Sequence, residues 1–176
     1  MKLYNLDDAK KLVENSENRI IDKEYDEDNT SSYSLIEFDD AKTKILKYVL
    51  YKKRSENEIK RKFEKTYSEE IIEDVIDNLK EKGYINDLVY IERTVNEFMA
   101  LKNLSMKEIK YKLISKGVKT KDIESYFESN YEVLLDYEKK SAKNLVKKKI
   151  NTMEENDIKI YLIKKGYKEE SIKEAI

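Results

Sequence analysis

The 176-residue chain has no cysteine, histidine, proline or tryptophan, and only three glycines. Each absence removes a class of chemistry. Without cysteine there is no disulfide framework and no thiolate nucleophile, which fits a reducing compartment. Without histidine the usual general base near neutral pH is missing. With both absent, zinc has no ligand set, and only carboxylate-bound metals such as Mg or Ca stay open. Three scattered glycines form neither a G-x-x-x-x-G-K-S/T nor a G-x-G-x-x-G loop for phosphate. No apolar run approaches the ~20 residues of a membrane span, and the N-terminus shows no basic stretch followed by an apolar core. A non-enzymatic, soluble, cytoplasmic protein without cofactor, metal or membrane contact is expected.

What is present favours helices. Charged residues make up 41 % of the chain, largely Lys and Glu, which with Ile and Leu are good helix formers in a sequence without breakers. The net charge of −1 hides an asymmetry. Residues 1–41 carry five Lys and Arg against twelve Asp and Glu, a net of −7, which leaves the rest at +6. A basic body of this kind suits a polyanion or an acidic partner surface, and equally a merely solvated helical surface.

Along the chain, Tyr4 to Asn15 reads as a short helix. Residues 19–25 (RIIDKEY) and 32–38 (SYSLIEF) have strand-like content around a polar turn, giving either a β-hairpin or a disordered acidic lead-in. Asp26, Asp28, Thr30 and Glu37 fall at positions 1, 3, 5 and 12 of a calcium-loop pattern, but Ser31 occupies the place that needs glycine. A polar turn is favoured and no metal site is assigned. From Asp39 helical periodicity runs to the C-terminus.

That periodicity repeats. SENEIKRKF at 55–63 and SMKEIKYKL at 105–113 both open Ser-x-x-Glu, a capping box that satisfies orphan amides at a helix start. Both continue with an apolar anchor, a lysine and a second anchor: Ile59, Lys60, Phe63, then Ile109, Lys110, Leu113. DIKIYL at 157–162 supplies Ile158, Lys159 and Leu162, with capping-box spacing upstream at Thr152–Glu155. The first anchors recur at intervals of 50 and 49 residues. Each second anchor leads through a turn to a further apolar pair, and Gly117 and Gly166 stand where a helix ends with positive φ. A longer helix precedes each copy, over Ala41–Lys53, Asp87–Lys102 and Tyr131–Lys149. The pattern predicts an all-α protein of three tandem three-helix repeats, at 41–86, 87–130 and 131–176, behind an acidic segment at 1–40.

Between the first two repeats stands LKEKGYIND. Gly83 reads as the residue that ends a helix, and Tyr84 and Ile85 as apolar residues folding back on Leu79 and Ile76. Asn86 or Asp87 then caps the next helix, a contact worth ~1 kcal/mol. Asp87 has no visible partner for acid catalysis, so this stretch is a joint rather than an active site.

The motif Leu79, Gly83, Tyr84, Ile85, Asn86, Asp87, followed at repeat spacing by Ser105, Ile109, Leu113, Lys116 and Gly117, resembles the RecX family, bacterial regulators of the RecA recombinase. The resemblance covers about residues 41–176. It implies an elongated, curved, all-helical protein that docks in the groove of a RecA–DNA filament. Such a protein blocks filament growth and lowers ATP hydrolysis and strand exchange in recombination, DNA repair and the SOS response. The chain departs from the family by lacking an inter-helix glycine in the first repeat and by carrying Tyr90 where Phe-Ala is common nearby. Nothing in the family matches the first 40 residues.

If the anchors face the core, Lys60, Lys110 and Lys159 lie about 100° away on their helices, as a basic row with Arg61 beside it. Lys52-Lys53-Arg54 and Lys147-Lys148-Lys149 are denser clusters, each read as ending a long helix. Cations there are also favoured by the helix dipole, by ~0.3–1 kcal/mol, so partner binding and dipole compensation both stand. Tyr111 and Tyr161 are placed near the row, as interface anchors or as helix–helix packing. The partners expected are a RecA filament or, alternatively, single- or double-stranded DNA acting on helix-turn-helix-like units. A monomer is expected.

Overall fold

The structure is a computed structural model, and residues 33–176 are described. Every regular element among them is an α-helix. In chain order these are α1 (Leu35–Tyr51), α2 (Glu56–Phe63), α3 (Glu69–Glu81), α4 (Asp87–Leu101), α5 (Met106–Ser115), α6 (Thr120–Ser129), α7 (Tyr131–Lys149), α8 (Glu155–Lys165) and α9 (Glu169–Ala175). None of the described helices is long and apolar enough to cross a membrane.

The helix expected over Tyr4–Asn15, the strand over 19–25 and most of the calcium-like loop lie outside the described residues. The second expected strand, 32–38, is corrected: from Leu35 onward the chain is helical. The cause is a capping box. Ser34 Oγ accepts from the Glu37 amide at 3.2 Å, and the Glu37 carboxylate accepts from the Ser34 amide at 3.0 Å. That pair, continuing into a buried stripe of Ala41, Ile45 and Val49, outweighs the weak β-propensity of Tyr33, Ile36 and Phe38. Glu37, the last position of the calcium pattern, is thus a capping carboxylate.

Buried residues form three clusters. The first gathers Ile45, Ile59, Phe63, Ile76 and Leu79 from α1–α3. The second gathers Ile91, Ile109, Leu113, Ile123 and Phe127 from α4–α6, extended by Leu134 and Tyr137 of α7. The third gathers Ala142, Val146, Ile158, Leu162 and Ile172 from α7–α9. Every anchor read from the repeat is buried. In each triplet the first helix packs on the third: α1 on α3, α4 on α6 and α7 on α9.

Helix ends are closed by the residues the spacing marks. At Gly83 (φ 74°) the glycine amide donates to Lys80 O at 2.8 Å and the Tyr84 amide to Leu79 O at 2.8 Å, the double bond of a Schellman stop. Ile85 is buried in the first cluster and Tyr84 packs at its edge. Asn86 is the cap of α4, its Oδ1 accepting from the amides of Leu88 and Val89. The α8 cap is corrected: Glu154 stands there without a side-chain bond, while Thr152 Oγ1 donates to Lys149 O.

The two Ser-x-x-Glu boxes do a second job. Ser55 Oγ donates to Lys116 O at 2.7 Å and Ser105 Oγ to Lys165 O at 2.7 Å. Lys116 pairs with Glu58 at 3.3 Å and Lys165 with Glu108 at 2.7 Å. Each box therefore clasps the end of the second helix of the following triplet. Gly117 and Gly166 are tight against these clasps, since a Cβ on them would meet Asn57 at 2.2 Å and Lys107 at 2.6 Å. Between α2 and α3 the chain turns without a glycine, since Glu64 ends α2 in the right-handed helical region.

Candidate interaction surface

The sequence-marked cations fall into three situations. Lys60 and Lys110 are consumed within their own triplets. Lys60 pairs with Glu73, and Lys110 with Glu124 at 2.7 Å while lying 4.9 Å from the Phe127 ring centre. Lys159 and Arg61 are exposed and hold no ion pair among the described residues. Two of the three charges expected in the row are thus spent on internal pairs.

Lys147 and Lys148 are exposed in the last turn of α7, where the helix dipole favours them. Lys149 lies 4.3 Å from the ring centre of Tyr161, which Lys165 also approaches. Tyr161 is therefore a half-buried ring between two cations, while Tyr111 is exposed beside Lys107.

Lys52, Lys53 and Arg54 differ from the expectation. Helix α1 ends at Tyr51 with no basic residue in its last turn, and Lys52 is already extended at φ −152°. These three residues form the linker to α2 rather than the last turn of α1. The linker lies across α4 of the next triplet, and the two enclose a cleft lined by Lys52, Lys53, Arg54, Tyr90, Arg93 and Glu97, with Glu58 and Lys116.

Charges in this cleft do not cancel. Burial opposes ionisation of Glu58, but the Ser55 amide, Lys116 and the Tyr90 hydroxyl outweigh it and hold its pKa below the usual value. Glu58 and Lys116 therefore neutralise each other. Lys53 Nζ reaches only a carbonyl, Tyr84 O at 3.3 Å. The Arg54 guanidinium lies 4.6 Å from the Tyr48 ring centre, and its Nε is buried without an acceptor. Lys52 and Arg93 have no ion-pair partner among the described residues. Four cations thus face one uncommitted carboxylate, Glu97. Lys116 belongs to the repeat motif but not to the expected basic sites, and nothing in the spacing of Arg93 sets it apart from a solvated charge.

An equivalent cleft lies at the next joint, between the α4–α5 linker (Leu101, Lys102, Asn103) and Tyr137, Lys140, Ser141 and Asn144 of α7. Its residues stand 50 or 51 positions after those of the first: Lys102 after Lys52, Asn103 after Lys53, Asn144 after Arg93. Here Asn144 Nδ2 donates to Asn103 Oδ1 at 3.2 Å. Amides replace cations, so the dense positive charge belongs to the first joint.

Two carboxylates serve the joints. Asp87 Oδ1 accepts from the Glu56 amide at the start of α2, at 3.3 Å. Burial, and then the neighbouring Glu56 charge, raise its pKa above the ordinary aspartate value. A raised folded-state pKa means the native protein binds this proton more tightly than the unfolded chain, so its contribution is greatest in acid and fades as pH rises through the folded value. Asp87→Asn keeps the acceptor and removes the titration. Its urea midpoint relative to the parent is therefore expected to improve as pH is raised from about 4 towards neutrality, and a constant difference would show that Asp87 is not so perturbed.

Glu138, absent from the sequence reading, is wholly buried. Its oxygens accept from the Met106 amide at 2.7 Å, the Lys168 amide at 3.1 Å and Ser171 Oγ at 2.9 Å. The positive ends of α5 and α9 supply what a counter-ion would. The signal was available: Leu134, Glu138, Ser141 and Ala142 share one helix face, and a carboxylate among core positions demands partners. No cluster of three potential ligands occurs among the described residues.

Comparison with known proteins is consistent with this architecture. No family-wide sequence profile matches the chain. It is 32 % identical over 143 residues to the regulatory protein RecX of Finegoldia magna, covering 76 % of this chain and 69 % of that one. With the regulatory protein RecX of Clostridioides difficile the identity is 33 % over 119 residues, covering 68 % of this chain but 55 % of the relative. The crystal structure of RecX from Lactobacillus salivarius superposes with a TM-score of 0.68 at 23 % identity, over 80 % of this chain and 94 % of that one, which shows a shared fold. With a fold that is all-helical among the described residues and with this sequence identity, the chain belongs to the RecX family of non-enzymatic regulatory proteins.

Proposed function

We propose that this protein binds the RecA–DNA filament and inhibits filament growth, and with it ATP hydrolysis and strand exchange in recombination and DNA repair. The reading takes the chain as a cytoplasmic monomer built from three tandem three-helix repeats, at 41–86, 87–130 and 131–176, elongated and curved, behind an acidic segment at 1–40. The observation that carries it is the first cleft, where Lys52, Lys53, Arg54 and Arg93 lack anionic partners among the described residues in a chain of the RecX family. Uncompensated cations at a joint suit an acidic partner surface.

The test is DNA-dependent ATP hydrolysis by a cognate RecA as the protein is titrated in. Inhibition well below one copy per recombinase supports blocked growth; no response at any ratio overturns the reading. The triple reversal Lys52→Glu, Lys53→Glu, Arg54→Glu is expected to abolish filament binding with the fold retained, measured by co-sedimentation and circular dichroism. Unchanged binding would remove this cluster from the interface.

A second reading, direct binding of DNA, is favoured by the same unpaired cations. Contact through six to eight phosphates would lose about three to five orders of magnitude in affinity between ~50 and ~200 mM salt, whereas filament docking with an apolar component loses less.

A further inference from the structure

Three exposed apolar residues repeat in register with the core. Tyr51, Leu101 and Ile150 are 87 %, 72 % and 62 % exposed. Each stands eight residues before a buried anchor, Ile59, Ile109 or Ile158, so the exposed series keeps the intervals of the buried one. Single exposed apolar side chains are ordinary on protein surfaces. Recurrence at one structural position is different, because the same sequence repeat that places an anchor inside places these outside. All three occupy one site: Tyr51 and Leu101 end α1 and α4, and Ile150 follows directly on α7.

Each is joined to positive charge. Lys52, Lys53 and Arg54 follow Tyr51, Lys102 follows Leu101, and Lys147, Lys148 and Lys149 precede Ile150. The linkers that follow Tyr51 and Leu101 line the two clefts. An apolar knob beside cations, offered once per triplet, calls for a partner with apolar sockets rimmed by carboxylates. Nucleic acid fits less well, since Leu101 and Ile150 have no ring face for base stacking, and Glu97 stands in the first cleft.

We infer that Tyr51, Leu101 and Ile150 are a three-point protein-docking surface, each knob seating in an acid-rimmed apolar socket of a partner that presents such sockets repeatedly. This rests on the filament reading above and specifies the contact chemistry of that surface. A partner assembled from identical subunits is the simplest source of repeated sockets, and three weak, tethered contacts then reinforce one another.

The experiment uses the full chain carrying Tyr51→Ser, Leu101→Ser and Ile150→Ser together. Binding is measured to RecA assembled on single-stranded DNA and, separately, to the same DNA alone. The expected result is a loss of filament affinity of at least about tenfold, smaller losses for the single variants, and unchanged affinity for bare DNA. The urea midpoint should not fall, because the replaced side chains lie in solvent. Filament binding equal to that of the parent overturns the docking surface and leaves the filament reading standing. A parallel loss on bare DNA overturns it in favour of a nucleic-acid surface. Failure of the unsubstituted protein to bind the filament overturns both.

Discussion

Gly117→Ala is expected to cost about 3 kcal/mol of stability, the largest loss among the three glycine positions. Two terms combine. At φ 77° an L-residue pays left-handed strain of ~1–2 kcal/mol. The added Cβ would also lie 2.2 Å from Asn57 Cβ and 2.3 Å from its Cγ. Those atoms are near the backbone and cannot swing aside. Asn57 sits in the first turn of α2, whose cap Ser55 is bonded to Lys116 O one residue before the glycine. Relief therefore requires opening the clasp between triplets.

Gly166→Ala meets Lys107 Cδ at 2.6 Å, a lysine stem with freedom to rotate, and should cost about 2 kcal/mol. Gly83→Ala meets nothing within 4 Å and should cost only the strain, about 1 kcal/mol. Urea denaturation of the three variants checks the order. Equal midpoints for positions 83 and 117 would mean that the clasp is not tight. Adding Asn57→Gly to Gly117→Ala should restore the steric part and leave the strain.

Glu138→Ala is expected to cost about 4 kcal/mol, since it leaves the Met106 amide, the Lys168 amide and Ser171 Oγ buried without an acceptor, at ~1–3 kcal/mol for each orphaned donor. Glu138→Gln keeps one carbonyl oxygen but turns an NH2 towards a donor, so it should fall between alanine and the parent. Because the carboxylate ties α5 to α9, the loss should appear at both joined helices. Hydrogen exchange of the Met106 and Lys168 amides would report it directly. An alanine variant within ~1 kcal/mol of the parent would show that water replaces the carboxylate at low cost.

Much of the helical architecture was legible because it rests on local rules. The Ser-x-x-Glu boxes at 55 and 105, the stop at Gly83 and the cap at Asn86 act within four or five residues, so reading along the chain finds them. The buried face of each helix follows from 3.6-residue periodicity, and every anchor from Ile59 to Leu162 is buried as that periodicity requires. Where local signals competed, the reading went wrong. Residues 32–38 look strand-like residue by residue, yet one serine–glutamate pair and a stripe one turn further on make the chain helical from Leu35. Lys52–Arg54 read as a helix end because nothing in the run LYKKRS shows that the helix stops at Tyr51.

The sequence by itself determined the helices, their caps, the repeat interval and the positions that must be buried, since these depend on chain geometry and on side chains close in sequence. Only the tertiary structure decided what each charge is for. Lys60 and Lys110 look like Lys52 until Glu73 and Glu124 arrive from a helix thirteen or fourteen residues away. Glu138 looks like a surface carboxylate until two helix starts from thirty or more residues away converge on it. Gly117 looks like an ordinary helix stop until Asn57, sixty residues earlier, closes against it. Coulomb interactions, hydrogen bonds and steric contacts act through space over a few ångströms, and only the packed chain fixes which groups share those few ångströms.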